Sequence, residues 1–294
     1  MTGGVEMKFA KMHGLGNNYV YVNLWDEPIP ESALPEIAVA VANVNTGIGS
    51  DGLITIGPST VGADARMRIF NADGSEGQTC GNGLRCVGKY LYEKKLSAKK
   101  NLHIETKAGP AMLELHMNEE DGVVHEITVD MGEPRLKKSD LPMQNGDDST
   151  ALRELIQVDG QSYQFTGVSM GNPHAVFFVE NVNQVDVAGI GPKIETHEFF
   201  PERVNVEFVR VLSPNEMDFR VWERGSGITQ ACGSGACASV VAGVLENRLT
   251  RGQEVMVHLA GGDLAIKWAE DNHVYMRGPA TWVCEGEWMG ASFF

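Results

Sequence analysis

No run of 18 or more apolar residues occurs in the 294-residue chain, which removes a membrane-spanning helix from consideration. The stretch Met1-Thr-Gly-Gly-Val-Glu-Met has no basic region followed by an apolar core, so no signal peptide is expected. Cations are scarce. Lys and Arg number 24 against 39 Asp and Glu, the net charge is −15, and the basic runs are pairs such as Lys94-Lys95 and Lys99-Lys100. That excludes the positive footprint of a nucleic-acid or anionic-membrane partner, while leaving a small zwitterionic substrate open. Five cysteines (80, 86, 232, 237 and 284) make an odd count in a long chain, so no disulfide framework is expected. Free thiols in a reducing cytoplasm are the expectation. The cysteines also lack zinc spacing, and no His-x-x-x-His accompanies them, so no metal is expected. Nothing reads as a pyridoxal phosphate site. Gly47-Ile-Gly-Ser-Asp-Gly52 fits a dinucleotide fingerprint in letters only, because a strand-like Leu-Ile-Thr-Ile follows where a helix is required.

What is present is a stretch that occurs twice. Met67-Arg-Ile-Phe-Asn71 leads to Gln78-Thr-Cys80-Gly-Asn-Gly83, and Phe219-Arg-Val-Trp-Glu223-Arg224 leads to Gln230-Ala-Cys232-Gly-Ser-Gly235. The copies align without a gap at an offset of 152 residues. A second match, Gly16-Asn17-Asn18-Tyr-Val-Tyr-Val against Gly171-Asn172-Pro173-His174-Ala-Val-Phe-Phe-Val, falls at about the same offset. The length suits two domains, and 43% hydrophobic with 21% charged residues suits a globular protein.

Strands are expected at 8–12, 19–23, 53–56, 66–70, 103–106, 111–116 and 126–129, and again at 255–259, 264–268 and 274–276. A helix is expected over 31–44. After Cys80, Leu84, Val87 and Leu91 with Arg85, Lys89 and Glu93 between them predict an amphipathic helix. After Cys232, the uncharged run 236–245 predicts a buried one. Residues 136–150 read as connecting structure. Each half is then a set of strands wrapped on one helix.

Each Cys-Gly-x-Gly places a thiol at a helix start, where the dipole favours thiolate. A thiolate on one face of a carbon and a thiol on the other would invert a stereocentre, and the reverse reaction needs two like groups. The glycine-rich helix starts would offer N–H groups to a substrate carboxylate and stabilise the charge that builds as the α-proton leaves. That charge stabilisation replaces a cofactor, so none is expected. Glu223-Arg224 suits a second amino-acid head group. Cys86, Cys237 and Cys284 read as core packing. His13 and His174 lie by the repeated Gly-Asn turns and could orient or relay.

Lys11-Met-His-Gly-Leu-Gly-Asn17, Asn71-Ala-Asp-Gly-Ser with Cys80-Gly-Asn-Gly, Met170-Gly-Asn172-Pro-His174 and Glu223-Arg-Gly-Ser-Gly with Cys232-Gly-Ser-Gly-Ala resemble the diaminopimelate epimerase family over essentially the whole chain. The resemblance implies cofactor-independent interconversion of LL- and meso-2,6-diaminopimelate, for lysine and peptidoglycan synthesis. It implies an α+β fold of two similar lobes, each a mostly antiparallel, β-barrel-like sheet around a central helix, with the active site in the cleft between them. The lobes would be 1–132, joined by a returning 278–294, and 133–277. Cys80 and Cys232 would be the acid/base thiols. Gly81, Asn82, Gly233 and Ser234 would bind the reacting carboxylate. Asn17, Asn71, Asn172, Asn205, Glu223 and Arg224 would hold the substrate, the last two at its distal centre, with His174 near the thiols. The implied partner is the small-molecule substrate, with no nucleic acid and no membrane; a homodimer is compatible. Two positions depart from the family: Asn18-Tyr19 replaces a frequent Asp-Phe, and Gly52 stands where some members have Gln. The rival readings are a related racemase of proline, hydroxyproline or histidine, and a non-catalytic homologue.

Overall fold

The computed structural model describes residues 6–118, 120, 122–144 and 146–290. The outermost residues of the expected lobes, and Asn145 in the connecting stretch, lie outside the described residues. The chain divides into two compact units, Met1–Val129 with Gly278–Phe294, and Asp130–Arg277.

In the first unit the elements run β1 (Met7–Gly14), β2 (Asn17–Asn23), α1 (Leu34–Ala42), β3 (Gly52–Gly57), β4 (Ala65–Asn71), α2 (Gly81–Glu93), β5 (Asn101–Thr106), β6 (Gly109–Met117) and β7 (Val124–Asp130). A short 3-10 turn, Glu31–Ala33, precedes α1. β1 and β2 form a hairpin whose tight turn puts Leu15 and Gly16 at φ of 57° and 87°. The Gly16 N–H donates to His13 Nδ1 at 3.2 Å, which pins that turn. β2 pairs parallel with β3, β3 antiparallel with β4, β4 parallel with β5, and β5, β6 and β7 follow as an antiparallel meander.

The second unit repeats this plan. Its elements are β8 (Glu154–Val158), β9 (Gln161–Ser169), β10 (Pro173–Phe178), α3 (Val187–Glu195), β11 (Asn205–Ser213), β12 (Glu216–Glu223), β13 (Gly227–Ile228), α4 (Gly233–Leu245), β14 (Glu254–Leu259), β15 (Gly262–Trp268) and β16 (Val274–Pro279). β9 and β10 are antiparallel, β10 and β11 parallel, β11 and β12 antiparallel, β12 and β14 parallel, and β14 to β16 a meander. The parallel joins recur at equivalent places, with α1 and α3 each bridging the first of them. The duplication read from two short motifs is thus a duplication of topology. The fold is α+β, two similar units that are each a mostly antiparallel sheet around a central helix. A last strand, β17 (Thr281–Trp288), returns to the first unit and pairs antiparallel with β1, from Met7 opposite Trp288 to His13 opposite Thr281.

The structure adds to these expectations and corrects one of them. α2 is the expected helix, and its charged residues are buried: Arg85 is 0% and Lys89 6% exposed. Their long side chains reach acceptors inside the protein, which offsets part of the cost of burying the charges. Arg85 Nε donates to the Pro279 carbonyl at 3.0 Å, and Lys89 reaches the Val124 carbonyl and Glu93. α2 therefore packs on β1, β2 and β6 as α4 packs on β9, β10, β11 and β15. Cys86 and Cys237 are core residues, but Cys284 is exposed on β17. Burial pushes the Cys86 thiol up to about 11. α3, β8 and β9 were not anticipated. The α3 sequence carries two glycines and Pro192, all poor helix formers, and is held by the Asp186 side chain accepting from the Gly189 N–H at 3.0 Å.

Candidate active site

In the first unit Cys80 caps α2. Its backbone is extended (φ −145°), and its sulfur accepts the Gly83 N–H at 3.4 Å. The thiol is 3.5 Å from Asn17 Oδ1, which also receives Asn82 Nδ2 at 3.3 Å. Asn17, Cys80 and Asn82 thus form one cluster at the start of the helix, with Gly81 as its first residue. Gly83 sits so deep that a Cβ there would lie 2.6 Å from Ile54 Cδ1. Asn71 ends β4, and its Nδ2 donates to Ser75 Oγ at 3.0 Å.

The residue missed on this side is Asp51. Its Oδ2 accepts from Asn17 Nδ2 at 3.0 Å and from the Asn18 N–H at 2.8 Å, so it fixes the direction of the Asn17 amide. The signal was an acid inside the Gly47–Gly52 loop. Gly52 beside it has φ 151°, and a Cβ there would meet the Phe70 carbonyl oxygen at 2.1 Å. The absent Gln at 52 therefore reflects a backbone course open only to glycine.

Asn18 also has a physical reason, because its Nδ2 is 3.4 Å from the same Asp51 oxygen. A carboxylate in its place would face a second carboxylate. Asn18→Asp is expected to destabilise the protein by about 1 kcal/mol at neutral pH. Like charges raise the folded-state carboxyl pKa above its unfolded value of about 3.9, so the penalty is present above the folded pKa and fades as pH falls through it. Urea midpoints between about pH 7 and 4 check this; a difference from the parent that does not change with pH would contradict the charge explanation.

In the second unit Cys232 precedes α4 and is buried, at 4% exposed. β10 and β11 pair in parallel with His174 opposite Asn205. Asn205 is buried, donating to the Pro173 carbonyl at 2.8 Å and accepting the Arg224 N–H at 2.9 Å, so it holds the chain at 224 in place. His174 is fully buried between Glu207 (Nδ1 to Oε1, 2.6 Å) and Asn172 (Nε2 to Oδ1, 3.0 Å). Asn172 Nδ2 donates to Ser234 Oγ at 3.2 Å, and Ser234 Oγ is 3.6 Å from the Cys232 sulfur. Gly233 opens α4 beside Ser234.

Glu223 and Arg224 part company. Glu223 ends β12 with its carboxylate taking the Thr229 hydroxyl, and it lies near enough to Cys232 to act on the thiol electrostatically. Arg224 is exposed, its guanidinium donating to the Glu202 carbonyl at 3.1 Å. The pair expected to serve one distal head group is thus split, with Glu223 beside the thiol, because β12 ends at Glu223 and Arg224 opens the turn that follows. Glu207 and Thr229 were also missed. Glu207 lies two residues after Asn205 on β11, on the same strand face, and that alternation is the signal that could have found it.

Burial pushes the Cys232 thiol well above its ordinary range, and the Glu223 carboxyl beside it pushes it the same way. The opposing bonds from Ser234 and the Gly235 N–H are weaker. The expected helix-start acidification is therefore outweighed at Cys232: removing the sulfur from water disfavours the thiolate more than one amide dipole favours it. Burial likewise raises Glu223. In the free protein Cys232 is a protonated thiol at neutral pH. Its alkylation by iodoacetamide is expected to rise with a midpoint above about 9, and Glu223→Gln to lower that midpoint. An unchanged midpoint would show that Glu223 does not act on the thiol.

His174, Glu207 and Cys232 present ligand-type atoms within 4.8 Å of one another, the one such convergence among the described residues. Both imidazole nitrogens are already bonded, which makes the set a proton network rather than an open ligand set. No helix among the described residues is long and apolar enough to cross a membrane.

The diaminopimelate epimerase family model matches residues 9–137 and 166–283. A diaminopimelate epimerase of Bacillus cereus is 54% identical over 281 residues, 96% of each chain. One from a Geobacillus species is 53% identical, covering 96% of this chain and 98% of its own. Among solved structures, a PhzF-family phenazine biosynthesis protein of Bacillus anthracis superposes with a TM-score of 0.70 at 18% identity, covering 96% of this chain and 99% of its own. A probable proline racemase of Agrobacterium radiobacter gives 0.69 at 13%, covering 95% and 92%. These two share the fold. With a thiol at the start of each central helix and the family pattern matched across both units, this chain belongs to the diaminopimelate epimerase family.

Proposed function

We propose that this chain is the isomerase that interconverts LL- and meso-2,6-diaminopimelate in lysine and peptidoglycan biosynthesis, using Cys80 and Cys232 as its two acid/base groups. The observation that carries the reading is the matched pair of thiols, one before α2 and one before α4, each followed by glycines that let the backbone approach closely.

One sulfur, as thiolate, takes the α-proton and becomes a thiol. The electron pair left on the α-carbon delocalises onto the substrate carboxylate, and the N–H groups at Gly81-Asn82 and Gly233-Ser234 stabilise that charge. The other thiol delivers its proton to the opposite face and is left as thiolate. The product is the epimer, no cofactor is consumed, and the two sulfurs have exchanged protonation states. The protonated Cys232 of the free protein supports the direction in which it acts first as acid. Asn17, Asn71, Asn172 and Arg224 bind the rest of the substrate, and Asn205 holds the Arg224 backbone. During resetting Cys80 releases a proton to solvent, and Glu223 passes one to the Cys232 thiolate and is reprotonated from solvent. The same reading places the enzyme in the cytoplasm with a small-molecule substrate and neither nucleic acid nor membrane as partner, and it admits a homodimer.

The test is exchange in D₂O. LL-diaminopimelate should gain α-deuterium as the meso form accumulates. No α-deuterium would remove the epimerase reading, and faster exchange with proline, hydroxyproline or histidine would hand it to the rival racemases.

A further inference from the structure

The fully buried Glu207 lies outside the acid/base scheme, yet it touches the groups around Cys232 from below. Its Oε1 is 2.6 Å from His174 Nδ1, and a Cβ on Gly235 would lie 2.8 Å from that oxygen and 3.2 Å from the Cys232 sulfur. Its other oxygen, Oε2, is buried with no hydrogen-bond partner among the described residues. Two proton arrangements satisfy a neutral imidazole; an imidazolium would donate to both partners but leaves Glu207 the same buried carboxylate with one oxygen unpaired as the first of them. In one, Glu207 is a carboxylate accepting from Nδ1–H, and Nε2 accepts from a turned Asn172 amide. In the other, Glu207 is a neutral acid whose O–H donates to Nδ1, and Nε2–H donates to Asn172 Oδ1. The first leaves an ionised carboxylate fully buried with one oxygen unpaired, among the costliest placements for a polar group. The second leaves only an acid carbonyl oxygen unpaired and lets every bond along the chain run in one direction.

We propose that Glu207 is a positioning residue, held as a neutral acid, that fixes the His174 proton on Nε2 and through Asn172 sets Ser234 at the start of α4 beside Cys232. The relay is Glu207 O–H to His174 Nδ1, His174 Nε2–H to Asn172 Oδ1, and Asn172 Nδ2–H to Ser234 Oγ. It keeps the β11 side of the sulfur free of net charge. The remaining titratable neighbours of Cys232 are then Glu223 from β12 and the neutral His174 from β10. Burial raises the Glu207 carboxyl, against the pull of His174, which agrees with a neutral acid.

The kinetic arm of the test rests on the epimerase reading; the spectroscopic arm does not. In infrared difference spectra of the wild-type protein against Glu207→Gln near neutral pH, a protonated-carboxyl C=O band belonging to Glu207 is expected. Only carboxylate bands would overturn the proposal. Glu207→Leu, which cannot donate, is expected to lower kcat about tenfold or more while KM changes less than about threefold. Glu207→Gln keeps a donor to Nδ1 and should recover most of that loss. Equal losses in the two variants, or no loss in Glu207→Leu, would overturn the positioning role. If Glu207→Leu does not fold, the infrared comparison decides. A wild-type protein inactive on diaminopimelate but showing the acid band would fail the function and keep the proton assignment.

Discussion

Cys80→Ala and Cys232→Ala should each lose inversion of diaminopimelate by at least about 10³-fold, the upper part of what positioned acid or base groups contribute. Each tenfold step is about 1.4 kcal/mol of transition-state stabilisation. The reason is the two-face requirement. With one thiol removed, the other can take a proton and return one to the same face, but nothing supplies the opposite face. Residual α-deuterium exchange with retention is therefore expected for one epimer in each variant, the opposite epimer in the two cases. Alanine at 80 also deletes the acceptor of the Gly83 N–H, so a stability loss of about 1 kcal/mol is expected there. Chiral analysis of the product with mass detection of deuterium reads both effects. Full inversion by either variant would sink the two-thiol mechanism.

Gly235→Ala should be the most damaging change at a residue that does not itself react. The added methyl would lie 2.8 Å from Glu207 Oε1, 3.2 Å from the Cys232 sulfur and 3.2 Å from Phe219 Cζ. All three neighbours are buried, at 0%, 4% and 1% exposed, so none can swing into solvent. Overpacking of this kind costs about 1–3 kcal/mol. The relief must come from the sulfur or the carboxyl, and a shift of an ångström in a reacting group costs on the order of 100-fold in kcat. Gly83→Ala is the control. Its methyl would meet Ile54 Cδ1 at 2.6 Å and Met67 Cε at 3.0 Å, the ends of side chains that take no part in the reaction. A smaller kinetic loss is expected there. Steady-state kinetics and urea unfolding of the two variants make the comparison, and a Gly235→Ala enzyme within about threefold of wild-type kcat would refute the crowding account.

Much of the site was legible because it is local. Cys80-Gly-Asn-Gly83 and Cys232-Gly-Ser-Gly235 are continuous, and a cysteine before a glycine-opened helix states its own position and chemistry. What stayed hidden depended on which neighbour a side chain meets. Asp51 reaches Asn17 across 34 residues, and Glu207 reaches His174 across 33. The burial of Arg85 and Lys89 could not be read locally, because their carbonyl acceptors, at Pro279 and Val124, belong to strands far along the chain. Glu223 and Arg224 looked like one clamp because they are adjacent in sequence; the strand ends at Glu223 and the chain turns at Arg224, so they meet different partners.

The sequence by itself determined the duplication, the two thiols, the glycines beside them and the family, since all of these are fixed by residue type and spacing. Only the tertiary structure decided the environment of each thiol. Cys80 sits half-buried among amides, while Cys232 is sealed against two carboxyls. The physical reason is that a thiol's acidity depends on the solvent it loses and the charges it meets, and both are set by strands that the motif does not contain.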